Sequence, residues 1–200
     1  MATCLLGLLG VFISLFAVVM PSCFALRFKN YTAIKNTLSE LGSVNSPYKR
    51  AVANYYFLPL ALANIIFLLS AYYLLEGALS YPAPFILMSF VSLGYFIAAL
   101  FPSDDGSPMK GSVRNQVHNL GGVFEYIGSG SGLVLLGTLP QSSLWGGVWS
   151  LYLIISGGVI LTMLVLLALP SLQSIRGLTQ RIAEYSYFGW VFVFSLSLLF

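Results

Sequence analysis

Charge is scarce in this chain. Only nine Lys or Arg and six Asp or Glu stand among 200 residues, 8% in all, where an ordinary soluble domain has about a quarter. With 58% of the residues hydrophobic, that scarcity leaves no stretch from which a soluble domain could be built. The net charge of +3 is spread over several connections, so no nucleic-acid-sized basic face exists and no nucleic acid partner is expected. Histidine is scarcer still: His118 stands alone, which rules out a two-His or three-His zinc site within one subunit. The two cysteines, Cys4 and Cys23, lie on a single apolar run, and a continuous helix would hold them about 28 Å apart, too far for a mutual disulfide. No Lys or Arg precedes that run, so a cleaved signal peptide is not expected.

What the chain does have is six apolar runs: Leu5 to Leu26, Ala51 to Leu75, Phe85 to Phe101, Asn119 to Thr138, Gly147 to Leu169 and Ile182 to Phe200. Each is near the roughly 17 to 25 residues that a helix needs to cross a hydrocarbon core. All nine basic residues fall in alternate gaps: Arg27, Lys29, Lys35, Lys49 and Arg50 in the first, Lys110 and Arg114 in the third, Arg176 and Arg181 in the fifth. Short basic loops stay cytoplasmic. The reading is therefore an all-α integral membrane bundle of six transmembrane helices, a single domain over residues 1–200, with three cytoplasmic loops and both termini outside. Glu76 is then the one ionisable residue of the outer connections.

Turn and cap chemistry agrees with these boundaries. Thr37-Leu-Ser-Glu40 has capping-box spacing, in which Thr37 and Glu40 satisfy free N–H groups at a helix start. Ser46-Pro47 reads as an N-cap and first helical residue, Pro82 and Pro84 suit the entrance to the third helix, and Pro170 ends the fifth. Pro102 stops the third helix, and Ser103-Asp104-Asp105-Gly106 reads as a turn. In the fourth run His118, Gly122, Glu125, Ser129 and Gly132 recur at helical spacing and form one polar, small-residue stripe. Gly128 and Gly132 have the spacing that lets helix backbones approach closely, so this run is expected to pack at the centre of the bundle.

Candidate chemistry gathers at the cytoplasmic half. A carboxylate at the depth of Glu125 costs something like 2.5 to 3.5 kcal/mol on insertion scales, so it is expected to face a cavity, find a partner or bind protons. Glu125, His118, Asp104 and Asp105 are the catalytic candidates, as a proton relay or as a mixed metal site; no cofactor or metal is specified by the pattern. Arg181, Glu184 and Glu40 are the substrate-binding candidates, with Arg181 suited to clamp a phosphate or carboxylate headgroup. Each also has a plain structural reading. Glu40 fits a cap, Asp104 and Asp105 fit a turn, Arg181 and Glu184 fit a helix-surface ion pair, and His118 fits an interfacial cap. No nucleophile motif stands out, and Gly128-Ser-Gly-Ser-Gly132 reads as packing.

Leu38-Ser-Glu-Leu-Gly42, Phe101-Pro-Ser-Asp104, His118 at the head of the fourth run, and Arg181 to Glu184 followed by Trp190 occur in this order. In these blocks the chain resembles the bacterial multi-pass membrane family catalogued as domain of unknown function 998, over most of its length from about Lys29. The resemblance implies a helical integral membrane fold in a bacterial cytoplasmic membrane and carries no established reaction. Membrane lipids are the expected partners, and a lipid or ion the expected ligand. The leading functional expectation is a polar site at the cytoplasmic interface that binds or processes a polar-headed lipid. The alternatives are a small proton- or ion-coupled carrier and a non-catalytic membrane scaffold.

Overall fold

A computed structural model describes residues 1–74, 81–139 and 146–200. Glu76 and most of the link between the fourth and fifth runs lie outside the described residues. The six runs appear as long helices: α1 (Ala2–Ala25), α3 (Lys49–Leu74), α4 (Ala83–Leu100), α5 (Val113–Thr138), α6 (Gly146–Ala168) and α7 (Arg176–Ser197). The short helix α2 (Leu38–Leu41) lies between the first two. No strand occurs among the described residues.

Several helices begin before the apolar run does. α5 starts at Val113 and not at Asn119, because Ser112 Oγ accepts a hydrogen bond from Asn115 N at 3.2 Å and caps a polar first turn. α7 starts at Arg176 and not at Ile182, since loop carbonyls receive the donors of its first turns. At the head of α3 Tyr48 takes the cap position expected for Ser46; Ser46 Oγ instead bonds Leu41 O at 2.6 Å. Within α3 a π-helical step, Ala53–Phe57, turns Tyr56 and Phe57 into the core.

Five helices, α1, α3, α4, α5 and α6, are long and apolar enough to cross a membrane. The protein is thus a multi-pass helical membrane protein. α7 falls outside the five because Arg176, Gln180, Arg181 and Glu184 crowd its first half.

Each long helix packs on its neighbour in sequence, and α7 packs on both α6 and α1, so the bundle closes on itself. The fourth run is therefore one wall of a ring, in contact with α4 and α6, and not a central post. Its glycines do let the backbones meet. A Cβ on Gly128 would run into Leu87 O, and one on Gly132 would lie 2.7 Å from Met88 Cγ, both on α4.

The three basic gaps interlock at one end of this bundle. Leu178 N bonds Ile34 O at 2.9 Å, Val44 N bonds Ser103 O at 3.0 Å, and Arg176 Nη1 bonds Gly106 O at 3.1 Å. This end, with its loops sealed on one another, holds nearly all the polar side chains that the sequence singles out.

Candidate functional site

Beneath the interlocked loops lies a partly open cavity of about 150 Å³. Its polar wall includes Ser39, His118, Glu125, Arg176 and Glu184, and its apolar wall includes Leu164, Leu167 and Ala168 at the end of α6.

His118 stands at the rim, one and a half turns into α5. Its Nδ1 is 2.8 Å from Phe101 O, and its Nε2 is 2.9 Å from Ser39 Oγ. A carbonyl only accepts, so Nδ1 carries the proton, and in the neutral ring Nε2 accepts from the Ser39 hydroxyl. The short helix α2 presents Ser39. Its capping box is present: Thr37 N bonds Glu40 Oε1 at 2.9 Å, and Asn36 Nδ2 bonds Glu40 Oε2 at 2.7 Å. Gln180 of α7 adds an anchor by accepting from Leu38 N at 2.7 Å. Glu40 is thus a cap that positions α2, and it does not line the cavity.

Glu125 lies about 10 Å deeper along α5. Its side chain meets that of Glu184 across the bundle, and Glu184 also accepts from Tyr95 Oη at 2.7 Å and Tyr126 Oη at 3.0 Å. An ionised carboxylate is an acceptor only, so a bond between two carboxyl groups requires a proton on one of them. The second oxygen, Glu125 Oε1, is buried and has no hydrogen-bond partner among the described residues. Gly94 of α4 makes room for this carboxyl group: a Cβ there would lie 2.7 Å from both Glu125 Cβ and Oε2.

Arg181 is committed elsewhere. Its Nη1 donates to Ala33 O at 2.7 Å, Asn36 O at 2.8 Å and Gly177 O at 3.0 Å, and its Nη2 donates to Tyr31 Oη at 2.5 Å. No ion pair with Glu184 forms, although the two residues are one turn apart. Burial pushes the Tyr31 hydroxyl up to about 12 against the opposing pull of the guanidinium, so it keeps the proton that it donates to Thr37 O at 2.9 Å. Arg181 therefore holds the loop before α2, and it does not line the cavity.

Asp104 and Asp105 also turn to the loops. Asp104 accepts from Ser112 N at 2.7 Å and Ser112 Oγ at 2.8 Å, and pairs with Arg114 at 2.8 Å. The Ser112 N–H is the main cause that holds its carboxyl below the usual range. Asp105 accepts from Asn45 Nδ2 at 2.6 Å and Ser43 Oγ at 3.0 Å, and the Asn45 bond chiefly holds it low as well. Neither lines the cavity, and no group of three His, Cys, Asp or Glu side chains suited to a metal exists among the described residues. The mixed metal site of His118 with Asp104, Asp105 and Glu125 is not assembled.

Two residues of the cavity escaped the reading of the sequence. Ser39 sits inside the Leu38-to-Gly42 block, where no neighbouring residue marks it as special. Arg176 carries a buried Nε with no partner among the described residues, and only its place in the fifth gap hints at it.

The family model described as "Protein of unknown function (DUF998)" matches residues 8–197. The chain belongs to that family. No curated protein and no solved structure matches the chain. The blocks that carried the DUF998 resemblance, distant in sequence, meet around this cavity: Ser39 from the first, Phe101 O from the second, His118, and Glu184 from the last.

Proposed function

We propose that this protein binds a polar-headed membrane lipid in the cavity under its basic loops. What carries the reading is a pair of buried, unpartnered polar atoms, Glu125 Oε1 and Arg176 Nε, that belong to two side chains lining one cavity. An unpaired buried group costs about 1 to 3 kcal/mol, so two on one wall are better explained by a ligand or water that completes them than by packing. Arg176 calls for an acceptor such as a phosphate oxygen, and Glu125 for a donor such as a hydroxyl or ammonium. Leu164, Leu167 and Ala168 offer the hydrocarbon part an apolar wall. Arg176 takes the role expected of Arg181.

Glu125→Leu keeps roughly the side chain's bulk but removes both carboxyl oxygens, and with them the acceptor that the site offers a headgroup donor. Phospholipid retained by the detergent-purified protein, counted by mass spectrometry, is expected to fall at least about tenfold, the equivalent of 1.4 kcal/mol. Unchanged retention by a variant of normal thermal midpoint would overturn the reading.

The same reading includes six spans in a bacterial cytoplasmic membrane, with the basic loops inside and both termini outside. It is supported by the alternate-gap charge pattern and by α7, whose 22 residues span about 33 Å. In a chain freed of Cys4 and Cys23, single cysteines at Lys29 and Lys110 should react with a membrane-impermeant maleimide in inside-out vesicles only. Labelling of these two positions from opposite faces would end the six-span account.

The carboxyl pair favours a second reading, a proton-coupled carrier in which Glu125 and Glu184 exchange the shared proton. It differs in requiring pH-driven flux in proteoliposomes that Glu125→Gln abolishes.

A further inference from the structure

We propose that Ser39 and His118 form a nucleophile and general base that cleave an ester bond of the lipid held in this cavity, an activity that rests on the lipid-site reading. Three observations support it. Ser39 Oγ lies 2.9 Å from His118 Nε2, within the reach at which a base takes a hydroxyl proton. The other ring nitrogen is held at 2.8 Å by Phe101 O, so Nδ1 keeps its proton and Nε2 faces the serine with a free lone pair. Both side chains line the cavity that Glu125 and Arg176 line, so a lipid seated on those two has its head region beside the hydroxyl. The geometry has the logic of a triad, with a backbone carbonyl in the place of the orienting carboxylate. A carbonyl dipole stabilises the imidazolium less than a full charge does, so turnover is expected to be slow.

The step balances within the site and water. Ser39 Oγ bonds to the ester carbonyl carbon while its proton passes to His118 Nε2. The C–O bond to the alcohol breaks, and the alcohol leaves with that proton. A water then attacks the acyl-serine carbon, gives its proton to Nε2, and the acid departs as Ser39 Oγ takes the proton back. The substrate class is a carboxylic ester that joins a long acyl chain to a polar alcohol.

The structural alternative is that Ser39 only braces His118. The full-length protein in detergent is treated with a long-chain alkyl fluorophosphonate, and hydrolysis of 4-nitrophenyl decanoate and of phosphatidylethanolamine–phosphatidylglycerol vesicles is followed. The wild type should be labelled at Ser39. Ser39→Ala should lose the label and at least about 100-fold in hydrolysis, and His118→Gln should slow both by at least about 100-fold. The circular dichroism of both variants should match the wild type, so that a lost label reports on the pair and not on the fold. A wild type that retains phospholipid yet takes no label and hydrolyses neither substrate would overturn the pair. So would Ser39→Ala that hydrolyses at the wild-type rate. Label on Ser39 in a protein that retains no phospholipid would sustain the pair and sink the lipid site, so the two failures are separable.

Discussion

Replacing Arg181 by methionine is expected to remove at least about 3 kcal/mol of stability. The guanidinium makes four hydrogen bonds, to Ala33 O, Asn36 O, Gly177 O and Tyr31 Oη. Bonds to a charged donor contribute about 1.5 to 3 kcal/mol each, but they will not sum in full. Ala33 is exposed and Asn36 half-buried, so water recovers part of the loss at those carbonyls. Two bonds' worth is a fair lower bound. The loss is local as well as global, since these contacts hold the segment from Tyr31 to Asn36 that delivers α2 and Ser39. Trypsin should therefore cut at Lys29 or Lys35 faster in Arg181→Met, and the thermal midpoint should drop by several degrees. Arg181→Lys should fall between, because one ammonium cannot reach both the Nη1 and the Nη2 partners. If Arg181→Met melts with the wild type, the loop is held by its other bonds to α7, Gly177 N to Lys35 O, Leu178 N to Ile34 O and Leu38 N to Gln180 Oε1.

Much of this fold was legible because a hydrocarbon solvent writes itself into sequence. The six apolar runs became six long helices, Thr37 and Glu40 closed the capping box, and the basic gaps met at one end. Where the reading stopped, the missing information was geometric. Arg181 spends its donors on backbone carbonyls, and a carbonyl acceptor has no signature in a string of residues. Arg181 and Glu184 look like an ion pair when α7 is considered alone, yet the packed helix points one at the loop and the other at Glu125. Arg176 lies five residues from Arg181, which places it on another face of α7, toward the cavity. The cavity itself was half legible. The depth of Glu125 and the solitude of His118 pointed to it, whereas Ser39 became visible only when α2 was folded against α5.

Glu184→Leu is expected to cost about 2 to 6 kcal/mol, because two buried hydroxyls, Tyr95 Oη and Tyr126 Oη, lose their acceptor at about 1 to 3 kcal/mol each. Tyr95 and Tyr126 are only 4% and 5% exposed. Glu184→Gln keeps one acceptor oxygen and the side-chain shape, so its cost should be near 1 kcal/mol. The decisive measurement is a cycle on the unfolding free energy. If the penalty comes from orphaned hydroxyls, Glu184→Leu should cost about 1 to 3 kcal/mol less in a Tyr95→Phe background than in the wild type, since no hydroxyl is left to orphan there. Strict additivity would mean that Glu184 is held by packing and that its bonds to the tyrosines contribute nothing. The outcome bears on the cavity too. Glu184 held on one side by two tyrosines is a rigid partner, and a rigid partner is what keeps Glu125 Oε1 turned toward the cavity with its bonding capacity unspent.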